Sequence, residues 1–86
     1  MVKILDFYAD WCGPCQTLVP TLEEVVKETQ IELEKINVDQ NQERASKYGV
    51  FSVPTLVFEK DGKEIDRLVG LVAKNKILET IERHKS

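Results

Sequence analysis

Hydrophobic and polar positions alternate from the first residues of the chain. Val2, Ile4, Asp6 and Tyr8 fall on one side of an extended segment, and Lys3, Leu5, Phe7 and Ala9 on the other. Both sides are mainly apolar, which predicts a central strand covered on two faces. The alternation stops at Asp10-Trp11-Cys12-Gly13-Pro14-Cys15, a turn. Beyond Pro14 the spacing changes to that of a helix, with Leu18, Val19, Leu22, Val25 and Val26 on one side, running to about Thr29. Pro14 suits a first helical turn, where its missing N–H is no loss, whereas Pro20 lies inside the pattern and predicts a kink.

Ile31 to Val38 reads as a second strand, with Ile31, Leu33 and Lys35 on one face and Ile36 and Val38 on the other. Asp39, followed three residues later by Gln42, has the spacing of a capping box for a short helix ending near Tyr48, with Gly49 as its stop. Thr55 to Glu59 predicts a third strand, Asp61-Gly62 a hairpin turn, and Glu64 to Val69 a returning fourth strand broken by Gly70. A last helix from about Lys74 turns Ile77, Leu78 and Ile81 inward. Strand–helix–strand units require parallel pairing and the tight hairpin antiparallel pairing. The predicted fold is therefore α/β, a mixed four-stranded sheet in the order βαβαββα with helices on both faces.

With 86 residues the chain has room for one core, so residues 1–86 are read as one domain. The net charge of -3 and the absence of a basic stripe argue against nucleic-acid binding. No apolar run approaches the roughly 20 residues that span a bilayer, and no secretory leader pattern is visible, so the expectation is a cytoplasmic protein with no membrane association. In that compartment thiols stay reduced and structural disulfides are rare.

The two cysteines, Cys12 and Cys15, admit three readings. A staple across so short a loop constrains little of the unfolded chain, and a structural zinc needs four ligands where only His84 could join the pair. The remaining reading is redox chemistry. Cysteines three positions apart at a helix start face neighbouring points of one turn. Cys12, at the end where N–H groups point outward and the dipole is positive, is favoured as a thiolate, the species that attacks in disulfide exchange. Cys15, one turn further in, is expected to be less exposed and to resolve the mixed disulfide. Gly13 and Pro14 keep the loop between them small and rigid.

The segment Asp6-Phe7-Tyr8-Ala9-Asp10-Trp11-Cys12-Gly13-Pro14-Cys15 resembles the active-site segment of the thioredoxin family almost throughout. Val53-Pro54-Thr55 is similar to that family's cis-proline loop, Val69-Gly70 to its glycine after the last strand, Pro20 to its helix kink, and Asn37-Val38-Asp39 to a strand end. Two departures stand out. Family members usually carry a further strand and helix ahead of the Asp6 segment, so the chain looks like the shortened prokaryotic, particularly archaeal, thioredoxins. Ala73 stands where a Ser or Thr cap is common, a loss of roughly 1 kcal/mol of stability.

The resemblance implies a thioredoxin-like fold and a protein-disulfide reductase working through a redox-active Cys12–Cys15 disulfide, with no bound metal or organic cofactor. It implies protein disulfides as substrates and a thioredoxin reductase as the recycling partner, of NADPH or ferredoxin type. A monomer is expected. Asp6, a carboxylate within an apolar strand, is implied as the buried proton acceptor for Cys15, with Lys35 tuning it; the duller alternative is a partly exposed salt bridge. Pro54 would be trans on base rates and is cis by the resemblance, lying against the disulfide, where the Val53 backbone would pair with an extended substrate segment. Trp11, Gly13, Pro14, Val53, Pro54 and Gly70 would together form an uncharged docking patch. Phe7, Tyr8, Phe51 and Phe58 are assigned to the core, His84 to a solvated helix end, and Glu23-Glu24 and Glu32-Glu34 to solvated faces. Two rival functions stand beside this one: a glutaredoxin-like oxidoreductase recycled by glutathione, and a non-catalytic binding module on the same fold.

Overall fold

A computed structural model describes residues 1–85. Its elements are β1 (Val2–Tyr8), α1 (Gly13–Thr29), β2 (Glu32–Asn37), α2 (Gln42–Lys47), β3 (Thr55–Lys60), β4 (Lys63–Val69) and α3 (Lys74–Arg83). The sheet has four strands in the order β2-β1-β3-β4. β1 pairs in parallel with β2 and antiparallel with β3, and β4 runs antiparallel to β3. The mixed βαβαββα sheet expected from the hydrophobic pattern is the observed one.

Strand alternation divides the core in two. Ile4, Leu56 and Phe58 face α1 and α3, where they meet Leu18, Leu22, Val25, Ile77 and Ile81. Leu5, Phe7 and Val57 point to the other side, against Ile36 and Ala45. Burial on both faces is what makes β1 nearly continuously apolar. Asp6, on the same side as Ile4, is the exception, and it lies beneath the first turn of α1.

α1 runs through Pro20, which is exposed, and stops where Gln30 takes a left-handed conformation, its N–H donating to the Val26 carbonyl at 2.8 Å. The hairpin turn uses positive φ at both Asp61 (55°) and Gly62 (79°), the pair of left-handed residues that a two-residue turn between twisted strands needs.

α2 corrects one expectation. Asp39 does not cap it: the N-cap is Asn41, with no side-chain cap bond. Buried Asn37 organises the turn instead, its Oδ1 accepting from the N–H groups of Asp39 (2.9 Å) and Gln40 (3.3 Å). That turn delays the helix by two residues and leaves the Asp39 carboxylate free for another partner.

His84 is not simply solvated. Its Nε2 lies 3.0 Å from Asp66, which also receives Arg83 at 2.8 Å, so the end of α3 is tied to β4. The Glu32-Glu34 pair also has partners, since Lys3 bridges both residues and Arg44 joins Glu34. At the other end of α3, Ala73 offers no cap bond, as expected. Ala73→Ser is expected to raise unfolding stability by about 1 kcal/mol through a new side-chain acceptor for the first helical N–H groups. A urea midpoint that does not rise, with an unchanged denaturant slope, would show that the fold gains nothing from capping here.

Candidate active site at the amino end of the first helix

The turn after β1 delivers Cys12 to the start of α1. Its N–H donates to the Ala9 carbonyl at 3.2 Å, and its own carbonyl accepts the first helical bond, from Gln16 at 3.3 Å. Cys12 is thus the N-cap residue, and its Sγ accepts the Cys15 N–H at 3.1 Å. Cys12 and Cys15 form a disulfide, with Cα atoms 5.3 Å apart. Exposure does not separate the two in this state. Cys12 is 4% exposed and Cys15 6%, so the expectation that Cys15 is the better covered one is not met. What distinguishes the pair is polarity: only Cys12 has its sulfur in the cap position, where N–H dipoles converge.

Three segments surround the disulfide. Ala9 packs with both cysteines, and Tyr8, Val38 and Val53 lie against that cluster. The Val53-Pro54 bond is cis, and the Gly70 N–H donates to the Pro54 carbonyl at 2.8 Å, with Gly70 at a φ of +90°. Gly13 and Pro14 are exposed, and Trp11 is 71% exposed. Pro54 differs from the expectation of an exposed patch in being buried, directly before β3. The Trp11 indole donates to Asp39 at 2.9 Å, which gives that carboxylate its role. This partnership spans 28 positions, and no local pattern reveals it.

Phe51 is a second correction. Assigned to the core by its chemistry, it is 96% exposed. It lies in the loop between α2 and β3 and belongs to neither core cluster. Val69 and Leu71, either side of Gly70, are also more than half exposed. Their exposure could have been anticipated from a strand that ends at a glycine.

Asp6 is 3% exposed, and its Oδ1 has no hydrogen-bond partner among the described residues. Burial pushes its carboxyl up to about 6, and the charge of Lys35 partly opposes this. Lys35 is in register with Asp6 on the adjacent strand but is itself exposed, its ammonium 5.4 Å from the centre of the Tyr8 ring. The two therefore interact by charge and not by contact. An open cleft of about 170 Å³ is lined by Asp6, Cys15, Gln16 and Lys35 among others, so the acid and the inner cysteine border one opening. A larger cavity, about 430 Å³, lies at the opposite end of the sheet among Val2, Ile31, Leu78 and Ile81 and contains neither cysteine. No group of three or more metal-binding side chains occurs among the described residues.

The thioredoxin family model matches residues 2–83. The chain belongs to the thioredoxin family. Thioredoxin from Chlamydia caviae is 45% identical over 82 residues, 94% of this chain and 80% of its own, and that from Bacillus subtilis is 45% identical over 85 residues, 96% and 82%. Solved thioredoxins agree in three dimensions. A variant from Halobacterium salinarum NRC-1 superposes with a TM-score of 0.94 at 46% identity, covering 99% of this chain and 75% of that one. The Fasciola hepatica protein gives 0.91 at 49% identity, covering 98% and 81%. With the thioredoxin fold and the cysteine pair at disulfide distance, the chain is a thiol–disulfide oxidoreductase of the protein-disulfide reductase type. The thioredoxin family implies protein disulfides as substrates and a reductase partner. No helix among the described residues is long and apolar enough to cross a membrane.

Proposed function

We propose that Cys12 is the attacking nucleophile, that Cys15 resolves, and that Asp6 accepts the proton Cys15 gives up. The observation that carries this assignment is the Cys15 N–H donated to Cys12 Sγ at 3.1 Å from the helix cap position. In the dithiol state the same N–H favours a negative sulfur at Cys12, lowering its pKa. The Cys12 thiolate attacks one sulfur of a target disulfide. That bond breaks, a mixed disulfide forms, and the other target sulfur leaves as a thiolate and takes a proton. Cys15 then loses its proton and attacks Cys12 Sγ, releasing the second target sulfur and closing the Cys12–Cys15 disulfide. Two electrons have passed to the target.

Asp6 suits its role because a carboxyl with a pKa near 6 is mostly ionised at neutral pH yet basic enough to take a proton transiently, directly or through one water. Lys35 favours the carboxylate from its place on β2, as a positioning charge. Trp11, Gly13, Pro14, Val53 and Gly70 form the uncharged surface that receives the target, with Pro54 holding the loop behind it. Val53 lies outside the strands, and its backbone has no hydrogen-bond partner in the fold among the described residues, which suits pairing with an extended segment. We assign recycling to a thioredoxin reductase rather than to glutathione, and read the protein as a cytoplasmic monomer. NADPH consumption with thioredoxin reductase, compared with glutathione and its reductase, separates the two recycling routes.

The test is a thiol titration of the reduced protein, following alkylation rate against pH with the modified residue identified by mass spectrometry. Cys12 is expected to react first and to titrate clearly below the roughly 8.5 of a free cysteine. A Cys12 that titrates at or above that value would remove the basis of the assignment.

A further inference from the structure

The large apolar side chains that remain exposed are Met1, Trp11, Phe51, Val69 and Leu71. Single exposed apolar residues are ordinary on protein surfaces. Met1 lines the cavity at the far end of the sheet, but the other four are not scattered. Trp11 precedes Cys12, Val69 and Leu71 flank the glycine bonded to the Pro54 carbonyl, and Phe51 stands two residues before Val53. Phe51 has almost all of its surface in water, 96%, more than Trp11, Val69 or Leu71, and its loop is held on both sides.

That loop is anchored on both sides of the ring. Before it, the Gly49 N–H donates to Ser46 at 3.0 Å and the Val50 N–H to Ala45 at 2.8 Å. The Arg67 guanidinium on β4 donates to the carbonyls of Tyr48 and Gly49 and is itself held by Glu64. After it, the Thr55 hydroxyl donates to the Ser52 carbonyl at 2.7 Å. Phe51 is therefore presented on a fixed backbone, so covering its ring requires little ordering of the chain that carries it.

We infer that Phe51 is a specificity-determining residue for the reductase reaction, receiving an apolar side chain about two residues from the attacked cysteine in an extended substrate segment. The inference rests on the reading that Val53 receives that segment. Phe51 and Val53 are at most about 7 Å apart along the chain, and side chains two apart on an extended partner point the same way. A substrate whose cysteine meets Cys12 beside Val53 thus carries its next same-face side chain to the Phe51 ring. Burying about 60 Å² of that ring corresponds to about a tenfold preference.

Two pairs of peptides with an internal disulfide test this. Within a pair they differ only in Phe or Ser two residues from one cysteine, before it in one pair and after it in the other. The native protein is expected to favour the Phe peptide of at least one pair by about tenfold in kcat/KM, through KM. Phe51→Ser and Phe51→Arg are expected to bring that ratio close to one, and Phe51→Leu to retain part of it. Because the readout is a ratio, a general loss of activity does not imitate it. A ratio unchanged in Phe51→Ser, or no preference in the native protein, overturns the inference. Cys12→Ser on the same peptides tests the underlying reading separately. If it is inactive while Phe51→Ser keeps the native ratio, only the role of Phe51 fails; if it retains full activity, the site reading itself fails.

Discussion

Cys12→Ser is expected to lower dithiothreitol-driven reduction of insulin by at least about a thousandfold, because a serine hydroxyl is almost wholly un-ionised at neutral pH and oxygen is a poor nucleophile toward sulfur. Cys15→Ser is expected to fail differently. Its Cys12 thiolate still attacks, but no second sulfur displaces the captured target, so a mixed disulfide accumulates to about one equivalent. Intact-mass spectrometry reads this directly as the summed mass of both partners, removed by dithiothreitol. The asymmetry decides the assignment, since two equally buried cysteines in a disulfide do not declare which attacks. If Cys15→Ser were the inactive variant and Cys12→Ser the one that traps, the roles would be reversed and the cap geometry would not be controlling the chemistry.

The parts of this molecule legible in advance are those set by near neighbours in the chain. The period-two run of Val2–Tyr8, the helical spacing of Leu18, Leu22 and Val25, and Asp61-Gly62 each carry their own geometric requirement, and the elements appear where those requirements place them. The cysteine pair was legible for the same reason, being one helical turn apart. What escaped depends on partners distant in sequence. Asp39 has the spacing of a cap, but Asn37 takes the turn N–H groups first and Trp11, far along the chain, claims the carboxylate. Phe51 has the chemistry of a core residue, yet in the loop between α2 and β3 it stands in water. Lys35 stands opposite Asp6 as strand pairing allowed, yet its long stem carries the ammonium over Tyr8 and leaves the acid without a direct ion pair.

Burial of the Asp6 carboxyl, whose Oδ1 has no hydrogen-bond partner among the described residues, acts on stability and rate together. Its pKa rises from the ordinary 3.8 to about 6 on folding. Between those values the folded state holds more protons than the unfolded state, so unfolding free energy falls as pH rises from about 4 to about 6 and is level above. The drop amounts to about 3 kcal/mol, from the size of the shift. Asp6→Asn, which cannot ionise, is expected to remove this slope, leaving the variant more stable than the native protein at pH 7 by about that amount and similar to it below pH 4. Urea titrations across that range read the effect. Turnover should move the other way. Without a proton acceptor Cys15 must ionise unaided, so the mixed disulfide with a target is expected to persist about tenfold longer at pH 7, the difference closing as pH approaches the roughly 8.5 of a free thiol. A residue that served packing alone would change the stability profile and leave that lifetime and its pH dependence as they were. A pH-independent lifetime ratio near one would therefore confine Asp6 to the fold and remove it from the proton path.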